Sequence, residues 1–461
     1  KPLCCKVLPF VPNFTAKNCE ILLFKFLLVL CSVICYKIAK FMLEFSFYQS
    51  LEFLKVFLKF FKFLVFVLCA LCLVLLVGYQ SLIKSHFYEN EAFMEYDNAN
   101  SGADFAPISS LINSPAKAVH SSTLVQTKRG LMALFFAGTR EGASDVKIYQ
   151  SFYDERENAW SEPKGILDAP TLSKMSGKFI KKLGNPVAFR DLAGKVHFFV
   201  VGVSLGGWAT SKIYQLEFDE NLRPKFKGEL KLGAFANFSH LVRVPAVLLD
   251  DGGFILPIYH ELARKYALVA FFDKNAKLLY TKRLNLLKNQ LQPSIIADNV
   301  SGVRCLAFLR NHKSYDSTAF LQSCSGRGNY FLEPVATNLK SYDSSSVLGL
   351  VFVDYKDWDF KRSEVVLIHN DGSKENPRSK LSLFWLKDEE KGEFVKLFTL
   401  DEGLEVSYPA LLAQDKSLKN TTNKPNDKLY LSYTLDRKHI KMQILSVKAI
   451  EKAIDEKRAE R

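Results

Sequence analysis

From Gly130 to Thr434 the chain is a succession of short apolar and aromatic runs separated by polar turns, and this alternation constrains the fold more than any other feature. The runs include GLMALFFAG (130–138), KVHFFVVGV (195–203), GGFILPIYH (252–260), YALVAFFD (266–273), RCLAFLR (304–310), SEVVLIHN (363–370), KLSLFWL (380–386) and KLYLSYT (428–434). Each has strand length and is rich in β-branched or aromatic residues, and turn signals such as DDGG (250–253) and HNDG (369–372) separate several of them. No convincing amphipathic helix precedes the charged, helical tail 447–461. Many short antiparallel strands point to a propeller, a sandwich or a large barrel. Four-stranded units would divide the stretch 111–446 into six repeats of roughly 55 residues, a plausible repeat size. Periodicity alone establishes an all-β, repeated architecture.

The N-terminal part differs in kind. Residues 63–83, FLVFVLCALCLVLLVGYQSLI, carry no charge between Lys62 and Lys84. As a helix this run would extend roughly 31 Å, enough for a bilayer core, and the expectation is a transmembrane helix. Nothing after Tyr79 offers the small-residue site of a cleaved signal peptide. Residues 21–36 are a weaker second candidate, interrupted by Lys25. Lys37, Lys40, Lys55, Lys59 and Lys62 precede the span, whereas Glu89, Glu91, Glu95 and Asp97 follow it. Lysines stay on the cytoplasmic side, so residues from 84 onward are expected outside, in the periplasm or at the cell surface. The expected organisation is a basic and apolar region 1–62, the span 63–83, a linker 84–110 rich in Asn, Ser, Ala and Pro, a domain over 111–446, and the tail.

The formal net charge of +14 does not indicate nucleic-acid binding. Residues 1–84 hold ten Lys against three Glu, which accounts for half of the excess. The remainder is spread without a dense basic run, and no nucleic-acid motif is present. Of the nine cysteines only Cys305 and Cys324 fall in the domain, with no C-x-x-C, which argues against zinc. An oxidising compartment would permit a bridge between them. Two separate buried thiols are the expectation. No metal constellation or phosphate loop occurs, so no cofactor is proposed.

Four segments carry chemistry: HSSTLV…GTREGASDV (120–146), QPSIIADNVSGVRCLAFLR (292–310), RSKLSLFWLKD (378–388) and EVSYPALL…KLYLSYTLDRKHIK (405–441). In this order and spacing they resemble the sialidase superfamily, and within it the BNR-repeat, neuraminidase-like branch. The resemblance covers roughly residues 110–446 and implies a six-bladed β-propeller. Sialidase blades often carry an Asp box, and Ser151, Asp154 and Trp160 form a loose version, with a more eroded one in LKDEEKGEFVKLF (386–398).

The resemblance also implies a chemistry. A sialoside has a carboxylate beside its anomeric carbon, which would repel a carboxylate nucleophile, so the family uses a tyrosine. Arginines hold the substrate carboxylate because the guanidinium fork matches it. An aspartic acid protonates the leaving oxygen, and a glutamate assists the tyrosine. Carried onto this sequence, Tyr408 corresponds to the nucleophile, Asp145 to the acid/base, and Arg310 and Arg378 to two carboxylate ligands. His120 stands where sialidases have the first arginine of the triad, as in the neuraminidase-like branch. Gln292 stands where they have the glutamate, so the usual Tyr–Glu relay is broken. Glu261 or His260 would be substitutes for that base. Arg140, Asn185, Trp208, Arg243 and Arg437 are further candidates to line the site.

The implied function is an exo-acting glycoside hydrolase, sialidase-like, that removes a terminal acidic sugar from glycans. A non-catalytic acidic-glycan-binding propeller and a uronate lyase using His120 and Tyr408 are the alternatives. The expected partners are an acidic glycan and, through the N-terminal helix, a membrane.

Overall fold

The computed structural model describes residues 61–64, 107–233, 237–298, 304–325, 330–354, 361–413 and 428–460. The expected spans 21–36 and 63–83 lie outside the described residues, apart from Phe63 and Leu64. Among the described residues no helix is long and apolar enough to cross a membrane.

Six antiparallel sheets follow one another along the chain as the blades of a propeller. Blade 1 comprises Ala118–Thr127, Gly130–Gly138, Lys147–Asp154, and an outer edge split between Ala159–Trp160 and Lys164–Asp168. Blade 2 runs through Lys182–Arg190, Val196–Val203, Ser211–Phe218 and Pro224–Glu229. In blade 3 the inner strand is broken into His240–Leu241 and Val247–Leu248, followed by Phe254–His260, Tyr266–Phe272 and Leu278–Arg283. Blade 4 consists of Gln290–Asp298, Arg304–Asn311, Thr318–Ser325 and Val335–Lys340, and blade 5 of Ser346–Asp354, Lys361–Asn370, Lys380–Asp388 and Glu393–Glu402. Blade 6 takes Val406–Ala413, Lys428–Leu435 and His439–Ser446 from the end of the chain. Its outer strand is Ile108–Asn113, paired with the third strand in the register Ile108↔Ile444 to Asn113↔His439. The first strand of the domain thus closes the ring, so the expected linker ends before Ile108 rather than at 110.

The apolar runs are continuous because each blade is covered on both faces. In Gly130–Gly138, Met132, Leu134 and Phe136 join a cluster with Ala188, Phe198 and Val200 of blade 2. The alternate residues Ala133, Phe135 and Ala137 join Tyr430, Ile440 and Met442 of blade 6. A strand with a period of two that feeds two neighbours must be apolar at both phases. The same arrangement repeats at the other blade interfaces, from the cluster of Val187, Phe199 and Leu256 to that of Leu431, Tyr433 and Leu383.

Among the described residues two α-helices flank the blades. The helix α1 (Ala169–Ser176) was not expected. Asp168 caps it by accepting from Thr171 N, Pro170 occupies its first turn, and Gly177 at φ +66° ends it. With eight residues and only Ala169 and Leu172 buried, it carries too short a stripe to be read from periodicity. The helix α2 (Val447–Ala459) is the expected tail, and Val447, Ile450 and Ile454 pack into the cluster between blades 5 and 6.

The eroded Asp boxes fold as turns between third and fourth strands. Asp154 Oδ1 accepts from the amides of Arg156 at 2.9 Å and Glu157 at 3.4 Å. Trp160 Nε1 donates to Ser110 Oγ on the closing strand at 3.0 Å. Asp388 accepts from Lys391 N at 3.1 Å. The same turn occurs at two unexpected places. Asp219 accepts from the amides of Asn221 and Arg223, and Asp273 from those of Asn275 and Lys277. Cys305 and Cys324 are directly opposed on neighbouring strands, 5.0 Å apart at Cα, and form a disulfide rather than two separate thiols. Strand register, which composition does not reveal, makes them a facing pair.

Burial depresses the imidazoles of His120, His240 and His369 to about 4. His369 is locked neutral between Ser346 Oγ, 2.7 Å from Nδ1, and the Lys340 carbonyl, 2.8 Å from Nε2. These folded-state values lie below the ordinary 6.5, so their contribution is present above pH 6.5 and is lost as pH falls toward 4. Between pH 6.5 and 4.5 each should remove about 2 kcal/mol of stability, beside a smaller loss from the depressed carboxylates toward the lower end of that range. Urea unfolding at the two pH values should show this loss, and His369→Gln should reduce it by about 2 kcal/mol.

Candidate active site

At the end of the propeller where the inner strands begin, the ladder is interrupted in four blades. Register shifts fall between His120 and Thr123, Leu183 and Pro186, Leu291 and Ser294, and Ser407 and Ala410. Three of the bulged segments contain X-Pro pairs, Asn185-Pro186, Gln292-Pro293 and Tyr408-Pro409. Proline suits a bulge because it has no amide to give the ladder. Ser121, Gln292 and Tyr408 adopt φ of +52°, +48° and +58°. For a residue as bulky as tyrosine this conformation costs energy and needs support. Ser345 supplies it by accepting from Tyr408 N at 2.7 Å. Asn370 completes the brace: its Oδ1 receives Ser345 N and Oγ, and its Nδ2 donates to the Val406 carbonyl at 2.6 Å.

Tyr408 sits among the groups so assembled. The His120 ring lies 4.2 Å from its ring, and Gln292 Nε2 donates to its hydroxyl at 3.4 Å. The guanidiniums of Arg243 and Arg378 each stand 5.2 Å from its ring centroid. Arg243 is buried, donating from Nη1 to Ser346 O at 2.7 Å and from Nη2 to Pro409 O at 2.9 Å. Burial pushes it down to about 10, opposed by the neighbouring hydroxyls of Tyr408 and Tyr259. Both ring nitrogens of His120, and Oε1 of Gln292, have no hydrogen-bond partner among the described residues.

Around this centre charges alternate. Arg310 Nη2 donates to Asp343 Oδ1 at 2.6 Å, and Arg378 Nη2 donates to the same oxygen at 3.1 Å. Arg378 Nη1 reaches Glu405 Oε1 at 3.1 Å. Arg437 Nε donates to Glu405 Oε2 at 2.6 Å and its Nη1 to Glu141 Oε2 at 2.9 Å. Burial would raise the Glu405 carboxyl, but the histidine beside it, Arg437 and the Ser407 hydroxyl hold it at about 2. Glu141 is lowered in the same way, with His120 and Arg437 outweighing burial. Burial disfavours the Arg378 charge, yet Tyr408, Asp343 and Glu405 raise it overall.

Of the residues singled out from the sequence, His120, Gln292, Arg310, Arg378, Tyr408, Arg437 and Arg243 are therefore linked by contact or charge. Asp145 is not brought into this group. It lies on the same loop as Glu141 but is exposed, accepting from Thr139 N at 2.9 Å and from the Thr139 hydroxyl. Those hydrogen bonds keep its carboxyl below the ordinary value. Arg140 is exposed on that loop as well. Asn185 spends its amide on the Val242 carbonyl at 3.1 Å, which ties blade 2 to the break in the inner strand of blade 3 that bears Arg243. Trp208 packs against the bulge of blade 2, where a Cβ on Gly184 would come within 2.9 Å of its ring. Glu261 follows the second strand of blade 3 and bears on Tyr259 through its charge, while His260 stacks on Tyr266 at 4.7 Å.

Four site residues escaped the sequence reading: Glu141, Tyr259, Asp343 and Glu405. Glu141 and Glu405 stand inside the segments that carry chemistry, Glu141 four residues before Asp145 and Glu405 three before Tyr408. A hint for Glu405 was its offset of three from Tyr408, across one strand end. Tyr259 and Asp343 had no signal, since an aromatic strand end and a turn aspartate are ordinary in a β protein.

Residues 129–419 match the BNR repeat-like domain. No curated protein matches the chain in sequence. Among solved structures it is similar to a protein of unknown function from Dyadobacter fermentans DSM 18053, at 14% identity and a TM-score of 0.54, covering 73% of this chain and 97% of that one. It is similar to the Hadza microbial sialidase Hz136, at 14% identity and 0.54, covering 72% of this chain and 66% of the other. It is also similar to Trypanosoma rangeli sialidase, solved with the inhibitor DANA, at 11% identity and 0.53, covering 81% and 60%. The chain thus spans less than two thirds of the length of both sialidases, and at these identities the likeness is one of fold. Together with the six blades and the matched repeat region, these findings show that the chain belongs to the BNR repeat-like family and has the sialidase-like six-bladed propeller fold.

Proposed function

We propose that the protein is an exo-acting glycoside hydrolase that releases a terminal acidic sugar, sialic acid or a related acid, from glycans. The observation that carries this reading is the environment of Tyr408, a strained tyrosine flanked by two guanidiniums, a neutral histidine and the Gln292 amide. Positive charge on both sides stabilises a tyrosine oxygen that loses its proton during attack. Gln292 can donate to that oxygen but cannot take its proton. His120, held neutral down to about pH 4, is the group able to do so in place of the family's glutamate.

Glu141 takes the role of acid that the sequence reading gave to Asp145. His120 and Arg437, which donates to it, hold its carboxyl below the ordinary value. An anionic sugar bound among the arginines would offset their charge and raise the Glu141 carboxyl toward protonation. Arg310 and Arg378 receive the sugar's carboxylate, for which four arginines against Glu141, Asp343 and Glu405 leave one positive charge over. A binding propeller without turnover is the second reading. The specific observation favouring it is Gln292 at the tyrosine hydroxyl, where a carboxylate would complete the relay.

The propeller is proposed to lie outside the cytoplasm, tethered by residues 63–83, on the strength of the lysines before Lys84 and the acidic residues after it. A phosphatase reporter joined after Lys84 should be active in the periplasm, and activity of a cytoplasmic reporter alone would reverse the orientation.

Hydrolysis of a fluorogenic sialoside tests the main reading. Tyr408→Phe should abolish turnover and leave the affinity for free sialic acid unchanged. Glu141→Gln should slow substrates with poor leaving groups on the order of a hundredfold, and activated aryl glycosides much less. Asp145→Asn should change neither rate appreciably. Binding of acidic sugars with no hydrolysis by the parent protein would establish the binding propeller instead, and a product with a new double bond would establish elimination.

A further inference from the structure

Asp343 is placed unlike the other carboxylates of the site. It stands in the turn that leads into the inner strand of blade 5, and its Oδ1 receives Nη2 of Arg310 and Nη2 of Arg378, arginines of two different blades. The Nε of each arginine is held by main chain: Arg310 donates to the Tyr342 carbonyl at 3.2 Å and Arg378 to the Asp343 carbonyl at 2.9 Å. Both guanidiniums are therefore anchored by the turn's backbone, while their outer ends converge on one oxygen. Their side chains are 8% and 14% exposed, but that of Asp343 is 40% exposed. Glu405, by contrast, is 17% exposed and also engages Ser407 and Arg437.

We propose that Asp343 is a resident carboxylate: between Arg310 and Arg378 it occupies the position that the carboxylate of an acidic sugar takes, and it swings toward solvent when that ligand enters. The inference rests on the reading above that Arg310 and Arg378 hold the sugar's acid group. Two guanidiniums facing one another in a mostly buried place need an anion between them. An ion pair open to water on one side is weak in net terms, so rotating Asp343 away costs little. The backbone carbonyls keep the arginines in place meanwhile, and the clamp is already formed when the ligand arrives. A neutral sugar offers nothing to replace Asp343, so the exchange selects for anionic ligands. The same occupancy weakens apparent affinity, because only the fraction of molecules with the clamp open can bind. If that fraction is about a tenth, removing the Asp343 charge strengthens binding about tenfold.

Two variants test this in the full-length protein. Asp343→Ala should lower the melting temperature, and sodium acetate should restore it more than sodium chloride at the same ionic strength, with a smaller acetate response in the parent. Adding Arg378→Ala should abolish the acetate response. In isothermal titration, Asp343→Asn should bind N-acetylneuraminic acid about tenfold more tightly than the parent, with N-acetylgalactosamine unaffected. An acetate response confined to Asp343→Ala, with no binding of the acidic sugar by any form, would keep the resident carboxylate and refute the acidic-sugar reading. An equal acetate response in parent and variant, or weaker binding of the acidic sugar by Asp343→Asn, would overturn the inference and make Asp343 a group that holds the arginines or the ligand.

Discussion

Four arginines crowd the end of the propeller where the inner strands start, and the site depends on how their charges are kept there. Three belong to an alternating chain, Arg310–Asp343–Arg378–Glu405–Arg437–Glu141, that runs from blade 4 through blades 5 and 6 to the loop of blade 1. Its links are charge-assisted hydrogen bonds, which set geometry as well as energy. The chain crosses three blade boundaries, so it orders the funnel only once the ring has closed. Arg243 stands apart, held by the carbonyls of Ser346 and Pro409, and its charge is directed to Tyr408 and Tyr259 rather than to a carboxylate. Burying an arginine on carbonyls alone is expensive, and its position beside a tyrosine hydroxyl gives that expense a chemical use.

Local strain adds a second constraint. The bulges take Gln292 and Tyr408 out of the ladder, while His120 is the last paired residue before the bulge of blade 1, and both His120 and Gln292 come to meet Tyr408. Tyr408 keeps its left-handed backbone because Ser345 and Asn370, from the neighbouring blade, leave its amide no better partner. The brace is buried and satisfied on every side, as a polar network in a core must be. A site of this kind tolerates little adjustment of its central residue. The adjustable element is the more exposed turn of Asp343, and ligand exchange belongs there.

Much of this was legible in the sequence, for reasons that can be named. Apolar runs of strand length at both phases require blades covered on two faces, and the quoted segments carried His120, Gln292, Arg310, Arg378 and Tyr408 in the order of the blades. The charged tail reads as a helix because Val447, Ile450 and Ile454 recur at helical spacing. Other features were hidden. The turns at Asp219 and Asp273 use only the aspartate and two backbone amides, so the glycine and tryptophan of a full Asp box are missing. α1 is too short to show a period. The Cys305–Cys324 bridge depends on which residues face across two strands, and register is settled by the loop between them.

The acid/base candidate shows where sequence stops and tertiary structure takes over. The loop Thr139–Val146 offers two carboxylates four residues apart, and a one-dimensional match favoured Asp145 by its spacing. In the fold, Thr139 takes up Asp145 at the surface, and Arg437, delivered by the hairpin turn of blade 6, draws Glu141 toward His120. What the sequence by itself determined was the class of architecture, the membership in a repeat family and the side chains that strand periodicity repeats from blade to blade. Only the closed ring decided which charged groups meet, because strand periodicity is a local property carried by neighbours in the chain. Opposite charges pair by distance in space, and in this ring residues as far apart as Glu141 and Arg437 become neighbours only when Ile108–Asn113 joins the last blade.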